Sequence, residues 1–63
     1  MKNIGTGHVT LCHPVTISSV QETVLYGALA VDGEFVSVSL TEGGQHLPVL
    51  VPMSNVAGIV LDT

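Results

Sequence analysis

Four side chains in this sequence have the chemistry to bind a metal or to attack a carbonyl: His8, Cys12, His13 and His46. On a strand, the His8-x3-Cys12-His13 array puts His8 and Cys12 on one face and turns His13 away. A structural zinc takes four Cys or His ligands, so His46 would have to arrive from a distant element, which spacing alone does not arrange. Ordinary turn and strand roles account for these residues better, and no metal is expected. A thiolate at Cys12 would need His8 or His13 to lower its pKa. It would also need an orienting acid, an oxyanion hole and a pocket. A small buried hydrophobe is the better account of Cys12.

The carboxylates give no more encouragement. Glu22, Asp32, Glu34 and Glu42 fall at or beside turns and form no acid–base pair. Gly43-Gly44 lacks the following Lys and helix start of a phosphate loop. Three histidines beside a single lysine could act as a switch at an interface, since imidazole titrates near neutral pH. The sequence thus predicts no catalytic residue, no cofactor and no small-molecule substrate.

Composition points to an assembly part. Sixty-three residues make one small domain, residues 1–63, whose lone core is marginal. One cysteine cannot form an internal disulfide, which leaves oligomerisation or docking as the source of extra burial. Hydrophobic residues are 46% and charged residues 10% of the chain, against roughly 25% charged in an average domain. Such a surface is expected to be largely covered. Lys2 is the only Lys or Arg in a chain of net charge −4. Nucleic acid and anionic membrane surfaces, which recruit cationic side chains, are therefore not expected partners. No signal-peptide core or apolar run of about 20 residues is present. A soluble chain is predicted, made in the cytoplasm and either kept there or packed into a particle.

The elements that must position any functional surface are strands. Val, Ile, Thr, Leu and Ser dominate, and turn residues punctuate short runs. Asp32-Gly33 predicts a two-residue type I′ hairpin joining strands over 23–31 and 34–40. In the second of these, Val36, Val38 and Leu40 share a buried face while Ser37 and Ser39 share the other. The first is apolar on both faces, with Leu25, Leu29 and Val31 opposing Val24, Tyr26, Ala28 and Ala30, so a partner is expected to cover one side. Thr41-Glu42-Gly43-Gly44-Gln45 reads as a second turn, and 46–51 as a strand that Pro48 confines to an edge. Pro52-Met53-Ser54-Asn55 reads as one 3₁₀ turn before a last strand over 56–61. Residues 8–12 and 15–20 read as short strands split by His13-Pro14, and 1–7 as an extended arm. The fold class is all-β: a small barrel or strongly bent antiparallel sheet of about five strands.

That order, with Val51-Pro52-Met53-Ser54-Asn55-Val56 before the last strand, resembles small barrels of the Src-homology-three and Sm-like type over roughly residues 23–62. The aromatic ligand-binding and basic RNA-binding residues of those families are missing, so the resemblance implies the fold without either function. The Arg-free, Val/Thr/Ser/Gly-rich style, with Leu25-Tyr26-Gly27-Ala28-Leu29-Ala30-Val31, is similar to small accessory and capsid-decoration proteins of tailed bacteriophages. This implies a non-enzymatic structural protein that self-associates or cements a larger protein shell. The alternative is a small phage-encoded regulatory binder that masks the surface of a host protein. Interface candidates are Tyr26, Phe35, Leu50, Pro52 and Met53, because exposed aromatic and apolar side chains concentrate interface energy.

Overall fold

The computed structural model describes the backbone of residues 1–42 and 45–62 and the side chains of 1–40 and 47–62. The chain is all-β, with one antiparallel sheet of five strands. These are β1 (Lys2–Ile17), β2 (Val20–Asp32), β3 (Phe35–Glu42), β4 (Gln45–Pro52) and β5 (Val56–Leu61), with a 3₁₀ turn at Met53–Asn55 before the last. Their order across the sheet is β4-β3-β2-β1-β5. The sheet is open, with β4 and β5 as its edges.

Strong bending follows from simple lengths. A flat strand of the length of β1 would reach about 50 Å, yet the molecule measures 27 × 26 × 21 Å. Both long strands must therefore curve. Gly7 and Gly27 are cross-strand partners at the bend. A Cβ on Gly7 would collide with the Val60 carbonyl oxygen, and one on Gly27 with that of Ser39. Only glycine lets the backbones approach so closely. The curl also brings the edges together: three residues, Met53–Asn55, carry the chain from β4 to β5 on the opposite edge.

The concave face is the core. Val9, Leu11, Leu25, Leu29, Val36, Val38 and Val51 are buried together, with Ile4, Val15, Ile17, Leu40, Val49, Val56 and Ile59 packed against them. Cross-strand register aligns them in rows, such as Val31–Val36–Val51 and Leu29–Val38–Val49. The alternation of Val36 and Val38 with Ser37 and Ser39 produces the predicted split between faces.

Several local expectations are corrected. Residues 2–7 are not a free arm; they pair with β2 from Lys2↔Val31 to Gly7↔Gly27. His13-Pro14 does not end a strand, because the proline sits in a bulge where the ladder with β2 skips from Thr10↔Val24 to Val15↔Glu22. The end of the predicted 15–20 strand is instead a hairpin turn, Ser18-Ser19, with φ of 50° and 68°. Both signs are those of a type I′ turn, built here without glycine or asparagine. At the β2–β3 hairpin the two loop residues are Gly33-Glu34, one step later than Asp32-Gly33. Positive φ falls on Gly33 alone, the pattern of type II′. Tyr26 and Val24 on the second face of β2 are about half exposed, while Ala30 is buried there by its neighbours. The predicted turn at Gly43-Gly44 lies outside the described residues.

Candidate interaction surface

The outer face of β3–β4 carries a run of apolar side chains in register. Phe35 stands opposite Pro52, Ser37 opposite Leu50, and Ser39 opposite Pro48. Strand alternation sends all six away from the core, since the intervening pairs Val36↔Val51 and Val38↔Val49 point into it. Leu50 lies diagonal to Phe35 and is 60% exposed; Phe35 is 43% exposed. Met53, the first residue of the 3₁₀ turn, extends the patch and is also substantially exposed. Its amide donates to the Glu34 carbonyl oxygen at 2.7 Å, which ties the 3₁₀ turn to the β2–β3 turn. Between the two turns is an open notch of ≈ 450 Å³ lined by Gly33, Glu34, Phe35, Pro52, Met53 and Ser54. Four of the five residues singled out from sequence, Phe35, Leu50, Pro52 and Met53, are thus brought onto one surface.

Tyr26 lies elsewhere, on the outer face of the β5–β1–β2 half. Its cross-strand partner is His8, with ring centroids 4.5 Å apart and planes tilted by 52°. Its hydroxyl donates to Asp62 Oδ2 at 2.5 Å. That hydrogen bond, followed by the negative charge of Asp62 and slight desolvation, raises the Tyr26 pKa above its ordinary value. The Asp62 amide in turn donates to the Thr6 carbonyl oxygen. Val60, opposite His8 on β5, adds a 66% exposed apolar side chain beside this group. Behind Tyr26, a second cleft of ≈ 330 Å³ is lined by Ile17, Val20, Glu22, Val24, Leu25 and Leu40 as well.

The four potential ligands do not form a described site. Among the described residues no three of His, Cys, Asp and Glu stand close enough to hold a metal, and the His46 side chain lies outside them. Cys12 is exposed, which corrects its assignment as a buried hydrophobe. The bulge is the reason. Residues 11–14 of β1 face Thr23 alone on β2, so Cys12 and His13 lift away from the ladder. The Asn55 side chain answers for the lost pairing: its Oδ1 accepts from the His13 amide at 2.8 Å, and its Nδ2 donates to the His13 carbonyl at 3.1 Å. Asn55 and Asp62 were not legible as functional partners, because they meet His13 and Tyr26 only through the pairing of β1 with β5. Nothing local in the sequence signals either contact. Comparison with family models, curated proteins and solved structures finds no match to this chain.

Proposed function

We propose that this chain is a non-enzymatic assembly protein that self-associates or cements a larger protein shell, with capsid decoration in a tailed bacteriophage as the setting. The observation that carries the proposal is the contiguous Phe35, Leu50, Pro52 and Met53 surface, exposed on a face whose other described side chains are Ser37, Ser39 and Pro48. Exposed apolar patches of this kind mark protein contacts. Two open sheet edges add further pairing sites, and β5 (Val56–Leu61) presents no charged residue to guard its own. The strand order and the 3₁₀ link between edges fit the strongly bent, open form of the expected five-stranded sheet.

Light scattering over a concentration range and sedimentation with shells of the cognate coat protein test the proposal together. The expected result is a mass well above 6.5 kDa or saturable binding to shells in many copies, with Phe35→Ser/Leu50→Ser weakening the binding to shells. A chain that stays monomeric and ignores shells, or captures one host protein at fixed stoichiometry, overturns it.

A further inference from the structure

The apolar notch has an acidic rim. Glu34 lines it directly, and Asp32 is the cross-strand neighbour of Phe35, the aromatic side chain in its wall. Both acids are exposed: Asp32 ends β2, and Glu34 is the second residue of the β2–β3 turn that forms one lip. Lys2 pairs across β1–β2 with Val31, the residue before Asp32, so it and the Met1 amino group lie one strand from the rim. Strand alternation turns the Lys2 side chain to the opposite face of the sheet from Asp32. His8 and His13 are on β1, and His46 pairs with Thr41 at the opposite end of β4 from Pro52.

From this arrangement we infer that the Phe35–Pro52–Met53 notch receives a protein segment presenting an apolar side chain flanked by Lys or Arg, and not a second copy of this chain. The inference rests on the assembly proposal and names the chemistry of the partner at this surface. An apolar side chain fills the notch and removes Phe35, Pro52 and Met53 from water, which supplies affinity. Flanking cations meet Asp32 and Glu34, which supplies orientation and selects among partners. A second copy seated face to face on the same notch would bring its own Asp32 and Glu34 against this pair. Like charges across a contact oppose association. Self-association, where it occurs, is left to the open edges and the Tyr26–Val60 face.

The test uses the full chain, labelled with ¹⁵N, and two short peptides. One carries a Leu-Phe pair between lysines; the other carries the same pair between glutamates. The lysine peptide is expected to shift the amides of Gly33, Glu34, Phe35 and Met53 saturably, and to bind about tenfold more tightly than its counterpart, through contacts with Asp32 and Glu34. Raising the salt should shrink that ratio. Glu34→Lys should reduce it by roughly fivefold, with amide shifts away from the turn unchanged to show that the fold is intact. Equal binding of the two peptides, or no saturable shift at the notch, overturns the inference. So does self-association that Phe35→Ser abolishes and Glu34→Lys leaves unchanged. Shell binding or oligomerisation that persists in any of those cases leaves the assembly proposal standing, so the two fail separately.

Discussion

The β3–β4 hairpin and the β1–β2 hairpin are built from the same antiparallel ladder but differ in regularity. From Phe35↔Pro52 to Glu42↔Gln45 the β3–β4 register runs without a shift. The β1–β2 register breaks twice, between Asn3 and Gly5 and between Thr10 and Val15. Its turn forces two serines to positive φ, and its middle depends on the facing pair Gly7 and Gly27. The irregular half bends the sheet and brings the edges within reach of one 3₁₀ turn. The regular half stays straight enough to hold an apolar face in order. In this molecule the devices that bend the sheet and the exposed apolar surface of β3–β4 are kept apart.

Substitutions in the irregular half should therefore act on stability first. The largest effect is expected at Gly27→Ala, where the new Cβ meets backbone that cannot yield without parting β2 from β3. Thermal unfolding should show a loss near the upper end of overpacking costs, about 3 kcal/mol. Gly58→Ala on β5, with nothing near its Cβ position, is the matched control and should be close to neutral. An equal response at both sites would erase the distinction between bend and ladder.

Asn55→Ala comes next. It removes both hydrogen bonds to the His13 backbone, at about 1 kcal/mol each. Urea unfolding should report that loss, and the His13 amide should exchange faster with solvent. Unchanged His13 protection would mean that the bulge is held by something other than Asn55.

The smallest effect is expected at Tyr26→Phe and is read as a change in pH dependence. Asp62 holds the Tyr26 hydroxyl in its neutral form, so its folded pKa lies above the unfolded value. The associated stability is present below the ordinary tyrosine pKa of about 10 and is lost as pH rises through the folded value. The wild-type chain should lose stability on that rise, and Tyr26→Phe should flatten the curve. Parallel curves would show that the hydroxyl does not couple to folding.

What could be read from the chain beforehand follows the same division. The regular half was legible, because Val36, Val38, Ser37 and Ser39 alternate cleanly and Pro48 marks an outer strand. Its Gly33 turn was found one residue out, since Asp-Gly and Gly-Glu both offer glycine a positive φ and only the pairing Asp32↔Phe35 decides between them. The irregular half was not legible. Ser18-Ser19 has no intrinsic preference for left-handed backbone, and Pro14 resembles a strand breaker until its bulge is known. The opposition of Gly7 to Gly27 exists only once β1 and β2 are in register. Phe35, Leu50, Pro52 and Met53 came within reach because they are near one another in the regular half. Tyr26 did not join them, because on β2 it lies six residues from Asp32, the cross-strand partner of Phe35.

The pairing of the first strand with the last has a consequence for how the protein is made. β1 takes β5 along residues 7–11, from Gly7↔Leu61 to Leu11↔Val56, so the sheet cannot be completed until β5 has left the ribosome. Until then the β1–β4 meander presents an open β1 edge, with Val9 and Leu11 lacking their cover from Ile59 and Val56. Such an edge invites pairing with neighbouring nascent chains. The late arrival of β5 therefore makes the strand of this sheet that is synthesised last the one that protects the first.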